Sequence, residues 1–101
     1  MMMEQPTKKK AMLDTVIGPV SYVMDGNTFQ MQVTHIGKHN KFPYSDYETI
    51  RIADRVVHNV HTPQGYQQQL NLNNQIYGKR VRCHVKHRDS YNRLVCTFEV
   101  I

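Results

Sequence analysis

The chain has 101 residues, with 13 lysines and arginines against 8 aspartates and glutamates, a formal net charge of +5 and 40% apolar residues. That suffices for one small domain with a modest core and a net stability of about 5–10 kcal/mol. No apolar stretch approaches the roughly 20 residues that span a bilayer, so no membrane partner is expected, and the basic balance gives the surface a field that favours polyanions.

Residues 1–12 carry Lys8, Lys9 and Lys10 with no apolar run behind them. This is not a secretory signal; it reads as a disordered basic tail ahead of a single domain over 13–101. The stretch from Leu13 to Met24 is rich in β-branched and aromatic residues and predicts a strand, with Gly18-Pro19 marking a bulge or an edge. Asp25-Gly26-Asn27 is a hairpin turn, because Gly and Asn tolerate positive φ. Phe29, Met31 and Val33 then alternate with Gln30, Gln32 and Thr34 as a half-buried strand.

Residues 35–48 form a polar loop whose end, from Tyr44 to Glu48, is acidic and aromatic. Strand character resumes from Ile50 to Val57. Thr62-Pro63 starts a helix, Thr62 as N-cap and Pro63 in the first turn. Tyr66, Leu70, Asn73 and Tyr77 share one helical face, with Leu72 and Ile76 beside it, and Gly78 suits the C-terminal cap. Val81, Cys83 and Val85 point one way and Arg82, His84, Lys86 and Arg88 the other; a turn at Asp89–Asn92 leads to alternating Leu94, Cys96, Phe98 and Val100. The predicted fold class is mainly β (α+β). Strand, strand, strand, helix, strand, strand is the order of a five-stranded OB-like Greek-key barrel with one helix between strands 3 and 4.

Asp25-Gly26-Asn27-Thr28-Phe29, His61-Thr62-Pro63-Gln64 and Asp89-Ser90-Tyr91-Asn92-Arg93 occur in that order along the chain. Together they resemble the landmarks of the staphylococcal-nuclease-like family, traceable from about Val20 to Val100. The resemblance implies the same barrel. In active members Ca²⁺ is held by two aspartates and a backbone carbonyl, a glutamate handles the attacking water, and two arginines neutralise the phosphate. The metal aspartates fall on Asn27 and His61, the carbonyl residue on Thr62 and the glutamate on Gln64. The arginines match Arg51 and Arg93, Tyr91 matches a tyrosine beside the nucleotide, and Asp25 matches the outer aspartate of the turn. The family usually adds a helical segment after the last barrel strand, so one wall of the nucleotide cleft is expected to be missing or supplied by a partner.

Neutral amides attract Ca²⁺ weakly, Gln is no general base, and a His nitrogen is a poor Ca²⁺ ligand. The expectation is therefore a degenerate site with no catalytic residue and no Ca²⁺ cofactor. Arg51 and Arg93 would bind phosphate. Lys79, Arg80, Arg82, Lys86, Arg88 and Tyr91 would contact DNA or RNA, single-stranded, through charge and stacking. A divergent metal-dependent nuclease is the first alternative, with Asp25, His58 and His61 as candidate ligands, though these have no spacing signature. A protein-interaction or inhibitor module, or a self-associating one, is the second. His84 and His87 would add charge in acid. Cys83 and Cys96 fit a buried thiol pair in a reducing cytoplasm, with a cross-strand disulfide as the alternative.

Overall fold

The computed structural model describes residues 12–101. The tail expected over 1–12 lies, apart from Met12, outside the described residues. The elements are β1 (Asp14–Asp25), β2 (Thr28–Gln32), β3 (His35–Ile36), β4 (Tyr47–Ile52), α1 (Pro63–Ile76), β5 (Arg80–Arg88) and β6 (Leu94–Val100).

One long strand closes the sheet on itself. The first half of β1 pairs with β5, from Asp14↔Val85 to Pro19↔Arg80, and its second half pairs with β2, from Val20↔Met31 to Asp25↔Thr28. The sheet order is β2-β4-β6-β5-β1-β3, and the further β1–β2 pairing seals five strands into a barrel with β3 added beside β1. Only β4 and β6 run parallel, the link that an OB-like barrel makes across its helical connection. The fold class and the helix position are as the sequence predicts.

Strand alternation builds the core. Val16, Phe29, Met31, Ile50, Val81, Cys83 and Cys96 are wholly buried, and the Phe29 and Phe98 rings meet edge-on at 5.4 Å. Each such aliphatic or aromatic side chain stabilises the barrel by roughly 1.5–3 kcal/mol on burial. The thiols are free, and Cys83 Sγ lies 3.7 Å from Met31 Sδ. The neighbouring Cys96 thiol and burial both push the Cys83 thiol upward, so it stays protonated.

Local punctuation departs from the sequence reading in several places. Gly18 and Pro19 pair in register, and β1 instead slips between Val20 and Tyr22 and between Val23 and Asp25. Gly18 has another purpose: a Cβ there would lie 1.7 Å from the Gln32 carbonyl oxygen, where the chain leaving β2 crosses β1. The expected strand over 50–57 is shifted; β4 begins at Tyr47 and stops at Ile52, because Asp54 turns at φ 59°. His35 and Ile36, read as loop, form β3 on β1.

The helix begins as predicted, with Thr62 Oγ1 accepting the Gly65 N–H at 3.1 Å, and Gly78 follows it at φ 75°. Its buried face differs: Gly65, Leu72 and Ile76 are buried, while Tyr66 and Tyr77 are 56% and 58% exposed. A Cβ at Gly65 would lie 1.8 Å from the Asn59 carbonyl oxygen. The first turn therefore packs backbone against backbone and turns Tyr66 outward. Gln69 Nε2 ties the helix to the Val23 carbonyl of β1 at 3.1 Å. Among the described residues no helix is long and apolar enough to cross a membrane.

Candidate functional site

The turn between β1 and β2 is a structural joint. Asp25 Oδ1 accepts the Asn27 N–H at 2.9 Å, the usual Asx arrangement of a tight turn. The Asn27 side chain is buried. Its Nδ2 donates to the Arg55 carbonyl and its Oδ1 accepts from Thr28 Oγ1, both at 2.9 Å. The Asn27 carbonyl in turn accepts the Ile52 N–H at 2.7 Å. One residue thus fastens the end of β4 and the following segment to the turn. The amide nitrogen is required, since a carboxylate offers no donor to a carbonyl.

That geometry does not suit Ca²⁺. The Asn27 oxygen is engaged and neutral, and one Asp25 oxygen caps the turn. Gln64 is exposed in the first turn of α1, and His58 and His61 lie on the exposed approach to it, where the His61 N–H donates to Asn59 Oδ1 and the His58 N–H to Gln68 Oε1. Asp25, His58 and His61 do not converge; among the described residues no three His, Cys, Asp or Glu side chains could hold a metal together.

Arg51 and Arg93 do come to the same side of the barrel. Arg51 stands opposite Val95 in the parallel β4–β6 pair, and Arg93, just before β6, bonds Asp89, which lines the same cleft as Arg51 and Val95. Among the described residues no ion pair engages Arg51. It lines an open cleft of about 470 Å³ that also contains Arg55, His87, Asp54 and Asp89. Arg93 is less free. Its Nε donates to Asp89 Oδ2 at 2.8 Å, and its guanidinium lies 5.1 Å from the centre of the Tyr91 ring. Burial works against the Asp89 charge, yet the N–H donors of Arg93 and Tyr91 hold its carboxyl below the usual range. Tyr91 is 78% exposed, an open ring next to a cation.

The basic strand is divided by a bulge. Val85 pairs with Cys96 but His87 pairs with Val95, so Lys86 is an extra residue and the alternation inverts after it. Arg88 accordingly faces the barrel mouth instead of joining Arg82 and Lys86, as alternation alone predicts. There its Nη1 and Nη2 meet the buried Glu48 carboxylate at 3.1 and 3.3 Å, and Nη1 also donates to the Asn92 carbonyl. His87 turns outward into the Arg51 cleft. Arg82 is paired with Glu99 at 2.9 Å and Lys86 with Asp54 at 3.7 Å. Lys79 and Arg80 stand at the far end of β5, about seven residues or ~23 Å from His87.

Sequence reasoning missed Arg55, which lies in a segment read as strand, and His87, which the bulge redirects. It also missed how the 37–46 loop is held. Asp14 accepts the Lys41 N–H at 2.9 Å, the Phe42 N–H at 3.1 Å and the Tyr44 hydroxyl at 2.6 Å. Asn40 exchanges two hydrogen bonds with the Thr15 backbone, at 2.8 and 2.9 Å. Burial raises the Asp14 carboxyl, but the Tyr44, Lys41 and Phe42 donors outweigh it and hold it below the usual range. Burial and the adjacent Asp14 carboxylate push the Tyr44 hydroxyl upward in turn. No signal in the sequence pairs residues this far apart. Comparison of the sequence with protein-family models finds no match, and comparison with curated proteins finds none either.

Proposed function

We propose that this chain is a non-catalytic module that binds the phosphate backbone of single-stranded DNA or RNA, on a barrel related to the staphylococcal-nuclease-like fold. The observation that carries the reading is Arg51: a cation with no carboxylate partner among the described residues, in an open outer cleft with Arg55 and His87 and on the same side as Arg93. A guanidinium presents a planar fork of donors that matches phosphate oxygens and retains its charge at every relevant pH. Tyr91 adds an exposed stacking face at the edge of this surface. Lys79, Arg80 and Arg82 contribute to the long-range field but not to the cleft. Arg88 is a structural cation in this account.

The absence of catalysis is argued from the donor set. Asn27 is committed to the Arg55 carbonyl, and Gln64 and His61 are exposed and neutral or nitrogenous. No step through a metal follows from such groups. The experiment pairs a binding titration with a phosphodiesterase assay. Arg51→Ala is expected to weaken binding of single strands about 10-fold or more at ~50 mM salt, as loss of a charge-assisted phosphate contact implies. Arg82→Ala, whose partner is Glu99, should weaken binding far less. Strand cleavage by the purified protein that EDTA abolishes would establish the enzyme reading instead.

A further inference from the structure

A cavity of about 830 Å³ lies between the start of β1, the 41–45 loop and the end of β5, inside the ~300–1,000 Å³ typical of small-ligand sites. Its floor is apolar, formed by Leu13, Val85 and Leu94, and Phe42 with Pro43 forms one wall. Phe42 is 69% exposed among the described residues. It does not sit on a loose tip: Asp14 grips the Phe42 and Lys41 amides, and Asn40 is tied to Thr15. Lys41 and Lys86 give the rim positive charge, Lys86 lying 3.7 Å from the exposed Asp54, while Arg88 stays bound to Glu48. The acids nearby are committed, Asp14 to the loop and Glu48 to Arg88 and the Ser45 N–H. His87 lines both this cavity and the Arg51 cleft, so the two adjoin across the β5 bulge.

We propose that this cavity is a base-binding subsite for single-stranded nucleic acid. One unstacked base enters it against Phe42, and the strand's phosphates pass Lys41 and Lys86 and cross His87 into the Arg51 cleft. The proposal rests on the phosphate-backbone reading above and supplies what that cleft lacks, a preference for single strands. A base has a flat apolar face for the Phe42 ring and the Leu13–Leu94 floor, and it arrives joined to the anions a cationic rim attracts. A small inorganic anion would leave the apolar walls unused. In a duplex the bases are paired and stacked, with no free face to insert.

The test uses the full chain and two labelled probes: an oligothymidine of about 15 nucleotides, near the upper site size of an OB barrel, and an abasic oligomer with the same phosphates. Oligothymidine should bind about 5- to 100-fold tighter than the abasic strand. Phe42→Ala should cut that margin several-fold, leaving only what stacking on Tyr91 supplies, with abasic affinity unchanged, and Arg51→Ala should weaken both probes. Oligothymidine, but not the abasic strand, should shift the methyl resonances of Leu13, Val85 and Leu94 in the wild type. Equal affinity of the wild type for both probes, or a margin undiminished by Phe42→Ala, overturns the base subsite and leaves the phosphate reading standing. Failure of both probes to bind overturns the phosphate reading and the subsite with it.

Discussion

Restoring a carboxylate at the turn, by Asn27→Asp, should destabilise the protein and should not create a Ca²⁺ site. Asn27 is 5% exposed, and its Nδ2 donates to the Arg55 carbonyl at 2.9 Å. A carboxylate deletes that donor and sets a buried negative charge against a carbonyl oxygen. An unsatisfied buried acceptor costs about 1–3 kcal/mol, and more with charge involved, so the expected loss is about 2–4 kcal/mol. For a domain of this size that is a fall in Tm of roughly 10–25 °C. The penalty also has a sign in pH. Burial, with one oxygen set against the Arg55 carbonyl, raises the new carboxyl's pKa in the folded state above the unfolded value of about 3.9. Below that value both states are protonated and the penalty is small. As pH rises through it, the unfolded state ionises first, so stability falls until the folded-state pKa is passed. The assay is urea unfolding followed by circular dichroism between about pH 3 and 7, with and without Ca²⁺. A variant as stable as wild type, or one that Ca²⁺ stabilises, would refute the reading of Asn27 as a structural amide.

Other perturbations separate structural from binding roles. Arg88→Ala strands the buried Glu48 carboxylate and should cost about 3 kcal/mol, measured by denaturant midpoint; normal stability with weakened strand binding would return Arg88 to the interface. The stability contributed by Asp14 is present above about pH 4 and should be lost as pH falls through its depressed folded-state pKa. Hydrogen exchange at the Lys41 and Phe42 amides reports that loss, and Asp14→Asn should remove the pH dependence. Gly65→Ala would stabilise an ordinary helix by about 1 kcal/mol, but here its Cβ meets the Asn59 carbonyl and the sign should reverse, to a loss of about 1–3 kcal/mol.

The barrel was legible because its inward residues repeat with period two: Phe29 and Met31, Ile50 and Ile52, Val81, Cys83 and Val85, Leu94 and Cys96. The helix start was legible because Thr62-Pro63 is local chemistry. What the sequence hides is long-range. The Lys86 bulge carries no Gly or Pro to announce it, yet it exchanges the outward positions of His87 and Arg88. The partners Glu48, Asp54 and Glu99 are remote in sequence from the basic strand they neutralise. Periodicity misplaces the helix face because Gly65, with no side chain, is pressed against the Asn59 carbonyl. Arg51 and Arg93 were legible as candidates, but the Asp89 bond that occupies Arg93 is visible only in the folded turn.

A phosphate-backbone surface at the Arg51 cleft is tested by the salt dependence of single-strand binding by the wild-type chain, measured from about 50 to 200 mM salt. With Arg51, Arg55, Arg93 and one or two further cations engaging phosphates, the logarithm of the association constant should fall against the logarithm of salt with a slope of about −3 to −3.5. No measurable binding at ~50 mM salt, or a slope near zero, would contradict a phosphate-backbone surface at this cleft.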